Sequence, residues 1–206
     1  MSLVVTVSGS PAPSSRTRSL SGWAGKWLAE RQVSVRAVDV RDLPAEEVLF
    51  GQCRSPIVKD ALAAIEEADG VVIVTPIYKA SFSGLLKVFL DLLPQAGLTD
   101  KVVLPLAVGG AQSHVLAIDY ALRPVLSSLN ALHVTTGLFF LDEQLQRTAD
   151  GALQIAEPAE GRLRQVLTSF AGSLHVHTNM RRADGIDAAA SGPLTTAVSD
   201  VAILPT

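Results

Sequence analysis

With Cys53 as its only cysteine, the 206-residue chain has no disulfide framework and no thiolate metal site. Cys53 reads as a small packed residue rather than a reactive thiol. Charged residues make up 18% and hydrophobic ones 48%, yet no unbroken apolar run approaches the length of a membrane span. A formal charge of −3 gives no electrostatic reason to expect nucleic acid or an anionic membrane as partner. The start, Met1-Ser2-Leu3-Val4, lacks a basic region and cleavage site, so with the lone cysteine it points to the cytoplasm. Three chemical signatures are missing. There is no G-x-x-x-x-G-K-[ST] loop, no G-x-G-x-x-G turn and no G-x-S-x-G elbow. His133, His175 and His177 are scattered without partners at ligand spacing, so no metal is expected.

What is present begins at the first strand, Val4-Val5-Thr6-Val7, which empties into Ser8-Gly9-Ser10-Pro11-Ala12-Pro13-Ser14-Ser15-Arg16-Thr17-Arg18. Hydroxyls, backbone N–H groups, a helix start and guanidinium groups are the donors a phosphate dianion needs. The same letters also describe a polar turn ending in an N-cap. Because the glycine-rich loops are excluded, a phosphate here is held by side-chain hydroxyls, as in a mononucleotide site.

Apolar strand-like runs alternate with helix-period segments along the chain, as in an α/β domain with a parallel sheet. The strands fall at Leu3 to Ser8, Val33 to Val40, Gly70 to Thr75, Lys101 to Val108 and Leu132 to Leu141. Helical patterns cover Arg16 to Arg31, Pro56 to Ala68, Phe82 to Leu93, Gln112 to Leu129 and Glu157 to His175. Five strands with intervening helices predict a flavodoxin-like three-layer αβα sandwich, a five-stranded parallel sheet of order 2-1-3-4-5. Leu163, Leu167, Phe170 and Leu174 form one stripe on the last helix. Pro105, inside the fourth strand, predicts a bulge, and Pro124, inside the fourth helix, predicts a kink or π-type widening around Tyr120. Residues 1–177 form one domain, and 178–206 an extension, mobile or docked on a neighbouring subunit.

In an open parallel sheet ligands sit outside the carboxyl ends of the strands, so the loops after strands one, three and four matter. In the second, Thr75-Pro76-Ile77-Tyr78-Lys79, the backbone is placed to meet a flat heterocycle that Tyr78 covers, or Tyr78 simply packs on the surface. In the third, Gly109-Gly110 admits a ligand or makes a tight turn, and Ser113 and His114 open the next helix. His114 is a ligand or interface contact, or plain helix start. No pair of carboxylates and no nucleophile lies beside these loops. That suits a cofactor which performs the chemistry itself.

Taken together, Gly9-Ser10-Pro11 with Ser15-Arg16-Thr17, Thr75-Pro76-Ile77-Tyr78-Lys79 with Gly84 and Leu86-Lys87, and Gly109-Gly110 with His114 resemble the NADPH-dependent FMN reductase family. The run from Val102 to Leu126 looks closest to the reductases of two-component alkanesulfonate monooxygenase systems. The resemblance implies FMN as cofactor, NADPH or NADH as donor, and an FMNH2-dependent monooxygenase as partner. It assigns the FMN phosphate to Ser10, Ser15, Arg16 and Thr17, and the ring to Pro76, Ile77, Tyr78 and Lys79 with Gly109, Gly110, Ser113 and His114 opposite. Ala12 stands where relatives commonly carry an arginine, a loss for which Arg18 is placed to compensate. Tyr120 is similar to a tyrosine that relatives carry at a subunit interface near the flavin, which implies a homo-oligomer, dimer or tetramer. Two alternatives share the fold: a quinone or azo reductase with tightly bound flavin, and a flavodoxin-like electron carrier.

Overall fold

A computed structural model describes residues 2–149 and 151–183. The chain opens with β1 (Leu3–Ser8), α1 (Arg16–Ala29) and β2 (Ser34–Asp39), followed by the short α2 (Ala45–Leu49) and α3 (Pro56–Glu67). Next come β3 (Gly70–Tyr78), β4 (Ser81–Phe82), α4 (Gly84–Leu90) and β5 (Val102–Gly109). A π turn at Ile118–Leu122 runs into α5 (Arg123–Ser128), then β6 (His133–Val134), β7 (Leu138–Leu141), β8 (Leu145–Arg147), β9 (Leu153–Ile155) and α6 (Ala159–Ala183). The parallel order is β2-β1-β3-β5, with β6 and β7 both on the outer edge of β5. This is the flavodoxin-like order expected, with the fifth strand split in two.

Pro105 is the reason for the split. Val103 O accepts from Thr135 N at 2.9 Å, so Val103 turns its backbone groups toward the fifth strand. By strand alternation Pro105 does the same, and it has no N–H to give. Pairing with β3 continues through Ile73 opposite Pro105, whereas on the other side Val103 faces Val134 and Leu106 already faces Leu138. The edge strand thus carries one residue more than β5, a bulge centred on the proline. Gly137 lies inside it, where a Cβ would come within 2.9 Å of Pro105 O.

Alternating side chains of β1, β3 and β5 feed two cores. On one face Val4, Val72 and Leu104 pack with Leu20, Trp27 and Leu28 of α1 and with the α6 stripe Leu163, Leu167, Phe170 and Leu174. On the other, Val5, Val71 and Val103 pack with Ile65 of α3, Phe89 of α4 and Leu126 of α5. Each of the four stripe residues of α6 is fully buried. Phe170 is set so closely on the sheet that a Cβ on Gly70 would lie 2.9 Å from its ring.

Several boundaries differ from the sequence expectation. β3 runs on to Tyr78, so Pro76 and Ile77 are strand residues rather than loop. Phe82 belongs to a hairpin, not a helix: Ile77 pairs with Phe82 and Tyr78 with Ser81 across Lys79 and Ala80. Those two turn residues both adopt left-handed backbone, φ 51° and 63°, as a two-residue hairpin demands. Helix α6 continues past His175 to Ala183. Of the expected extension, residues 184–206 lie outside the described residues. Among the described residues no helix is long and apolar enough to cross a membrane.

Truncating Phe170 removes the largest side chain between α6 and the sheet. Phe170→Ala is expected to lower unfolding free energy by about 4 kcal/mol, read as a lower urea midpoint with unchanged slope.

Candidate functional site

The loop after β1 is fixed by backbone. Gly9 N donates to Val74 O at 2.9 Å, and a Cβ on Gly9 would lie 2.7 Å from the Leu86 Cβ, so only glycine fits. The Ser83 hydroxyl donates to Gly9 O and accepts from Leu86 N at 3.1 Å, capping α4. Ser83 N donates to Thr75 Oγ1 at 3.1 Å, and that hydroxyl donates to Pro76 O at 3.0 Å. One buried chain of bonds therefore joins the β1 loop, the end of β3 and the start of α4.

Ser10, Ser15 and Thr17 are all buried at the α1 N-terminus. Ser15 is the N-cap: its Oγ accepts from Thr17 N at 3.1 Å and Arg18 N at 3.4 Å, leaving its O–H hydrogen to donate outward. Ser10 Oγ accepts from Ala12 N at 3.3 Å. The first turn of α1 contains no acidic residue. Three hydroxyls at a helix N-terminus with no carboxylate in the first turn form a donor set that fits a phosphate dianion.

Arg16 joins this set from an unexpected direction. Its Nε donates to Leu145 O at 3.0 Å and its Nη1 lies 3.6 Å from Asp142 Oδ1. A Cβ on Gly110 would lie 3.4 Å from Asp142 Oδ2, so Asp142 stands between Arg16 and the glycine pair. Gly109 is needed for a packing reason: a Cβ there would come within 3.0 Å of the Phe139 ring and 3.4 Å of the Ile77 Cβ. The ends of β3 and β5 thereby meet at Ile77 and Gly109. Tyr78 is half-exposed beside the exposed Lys79.

Other expected residues stand apart. Ser113 is exposed and His114 half-buried in a single 3₁₀ turn, where His114 Nδ1 is buried without a hydrogen-bond partner. Tyr120 is 78% exposed on the π turn, whose Arg123 N reaches back to Ile118 O, the widening that Pro124 predicts. Arg18 does not aim at the loop after β1. Its Nε lies 2.8 Å from Asp39 Oδ2 and its Nη2 3.1 Å from Asp42 Oδ2. Arg41, absent from the expected set, donates from Nε to Pro11 O at 2.8 Å and holds the loop from its outer side. Thr75, Ser83 and Asp142 were likewise unexpected. A hydroxyl before Gly84 at the head of a helix was the one cue for Ser83. Nothing local marks Asp142, whose place depends on β7 lying beside β5.

Burial pushes the Asp39 carboxyl above its ordinary range, against the lowering effect of Arg18. The folded state therefore binds this proton more tightly than the unfolded chain, and Asp39 contributes less stability as pH rises through its raised value.

Comparisons with known proteins agree on one family. Residues 2–146 match the family described as NADPH-dependent FMN reductase. The chain is 45% identical over 170 residues to the FMN reductase (NADPH) of Pseudomonas putida, covering 82% of this chain and 86% of that one. It is 44% identical over 142 residues to the FMN reductase (NADPH) of Escherichia coli, covering 69% and 74%. Among solved structures it is similar to the apo form of NADH:FMN oxidoreductase (EMOB), with TM-score 0.77, 37% identity and coverage of 84% and 90%.

Ser83→Ala is expected to cost about 2–3 kcal/mol, because it leaves Gly9 O and Leu86 N buried without their partner; thermal unfolding checks this. The stability of Asp39→Asn relative to the parent is expected to grow as pH rises from below 4 through the raised value of Asp39, measured by urea unfolding across that range.

Proposed function

We propose a function from one premise: this chain belongs to the NADPH-dependent FMN reductase family. It moves hydride from a reduced nicotinamide dinucleotide to FMN and releases reduced flavin for a partner monooxygenase. The observation that carries the reading is the α1 N-terminus, where buried Ser10, Ser15 and Thr17 surround a first turn free of carboxylates.

When bound, FMN supplies the redox chemistry, accepting hydride at N5 from C4 of the nicotinamide. The protein's share is binding and alignment. Ser10, Ser15 and Thr17 donate hydroxyl hydrogens to the phosphate, with the α1 amides behind them and the Arg16 guanidinium, set by Leu145 O and Asp142, at its side. Pro76 and Ile77, held in β3, and Gly109 at the end of β5 form one wall for the ring. Gly110 keeps side-chain bulk out of the approach, and Ser113 and His114 border it. Tyr78 and Lys79, on a hairpin tip locked by left-handed backbone, cover the open side. Holding two rings in stacking distance is itself the catalytic contribution, since it converts an encounter of two solutes into a reaction within one site.

The same reading gives the π turn a role. Val115, Leu116 and Tyr120 leave apolar surface exposed beside the hairpin β4, which packs against this turn. A second copy of the chain covers it, making a homo-oligomer whose contact lies next to the ring wall.

Purified protein is expected to oxidise NADPH when free FMN is added; no oxidation above background overturns the reading. Ser10→Ala is expected to weaken FMN binding about fivefold to tenfold and leave riboflavin, which lacks the phosphate, unchanged in fluorescence titration. Light scattering is expected to show Tyr120→Ala with a smaller mass than the parent oligomer.

A further inference from the structure

The loop after β1 is poor in backbone donors, because Pro11 and Pro13 carry no N–H. Among the described residues, two hydrogen bonds reach the backbone of residues 11–14, and both are made by one peptide group. At one end Ala12 N donates to Ser10 Oγ at 3.3 Å, and at the other Pro11 O accepts from Arg41 Nε at 2.8 Å. The Pro11–Ala12 bond is trans, so its C=O and N–H point in opposite directions. Holding the oxygen therefore aims the N–H. Arg41, from outside the loop, fixes the peptide that meets the Ser10 hydroxyl.

Arg41 reaches the loop because β1 and β2 run parallel with Ser8 opposite Asp39, so the segments leaving the two strands lie side by side. After β2 the chain makes a 3₁₀ turn, Val40–Asp42, capped by the Asp39 side chain, which accepts from Arg41 N at 3.4 Å. Asp42 Oδ1 lies 3.9 Å from Arg41 Nη1, and Asp42 Oδ2 is held 3.1 Å from Arg18 Nη2. The guanidinium is thus set between Asp42 and the loop, with its Nε edge toward Pro11.

We propose that Arg41 is a positioning residue for the FMN phosphate and acts through the Ser10 hydroxyl. The inference rests on the reductase reading above, in which Ser10 donates to that phosphate. With Arg41 on its oxygen, the Pro11–Ala12 peptide keeps its N–H on a lone pair of Ser10 Oγ. A hydroxyl that accepts there has its hydrogen left to give to the ligand. Without the anchor the peptide swings, and binding must first reorder it, which weakens affinity. The hydrogen bond matters here rather than the positive charge, because Asp42 already stands beside the guanidinium. Since the effect is confined to the phosphate end, Arg41 separates FMN from flavins that lack a phosphate.

Two neutral variants of equal reach isolate the bond. Arg41→Gln places an amide nitrogen where arginine carries Nε, and Arg41→Met places a methyl carbon there. In fluorescence titrations Arg41→Gln is expected to keep the Kd for FMN within about twofold of the parent, and Arg41→Met to raise it about fivefold. The Kd for riboflavin is expected to stay within about twofold in both, which also reports that each variant is folded. In a Ser10→Ala background Arg41→Met is expected to add less than about twofold, because its effect passes through Ser10. Unchanged FMN affinity in Arg41→Met, equal losses in the Gln and Met variants, a parallel loss of riboflavin, or a full additive loss in the Ser10→Ala background each overturn the positioning role alone. Unchanged FMN affinity in Ser10→Ala itself overturns the phosphate site on which the inference rests.

Discussion

The contact between the Ser83 hydroxyl and the Gly9 carbonyl sets the shape of the carboxyl end of the sheet. It closes a buried polar chain that runs from the β1 loop through the cap of α4 to Thr75 and Pro76 at the end of β3. Each group in that chain is shielded from water, so losing one partner exposes another to the full cost of an unmet hydrogen bond. The absence of a side chain on Gly9 is the other half of the same constraint, since it lets Leu86 press against the loop. The loop after β1 is thereby held from beneath by packing and from outside by Arg41. A loop fixed on two sides needs little reordering to receive an anion.

Prolines divide the work at the far edge. Pro105 withdraws one N–H from the ladder, and the fifth strand answers with a bulge at Gly137 that turns β7 toward the end of β5. That turn carries Phe139 against Gly109 and delivers Asp142 to Arg16. Pro124 withdraws another N–H, and the helix before it widens into the π turn that lifts Tyr120 into solvent. Both defects follow from a missing proline N–H, one in the sheet and one in a helix, and each leaves backbone that regular structure would have paired.

How far the site was legible follows from range. The N-cap just before α1 and the widening at Tyr120 depend on residues a few positions apart, and sequence reasoning found them. The hairpin at Lys79 and Ala80 escaped because neither residue is the glycine or asparagine that normally announces left-handed backbone. Phe82 fitted a helical period there, and strand pairing with Ile77 overrode it. Arg18 was placed one step from the truth: near the loop in sequence, it is drawn to Asp39 and Asp42, which the chain brings beside it only once β2 pairs with β1.

By itself the sequence determined the alternation of strands and helices, the apolar stripe of α6, the start of α1 and the widening before Pro124, because periodicity, capping and a missing N–H act within a turn or two of chain. Tertiary structure alone decided which groups meet at the sheet's end: Ser83 with Gly9, Asp142 with Arg16, Ile77 with Gly109, and Arg18 with Asp39. These partners lie far apart along the chain, and no local preference of either residue encodes the distance between strands that brings them together.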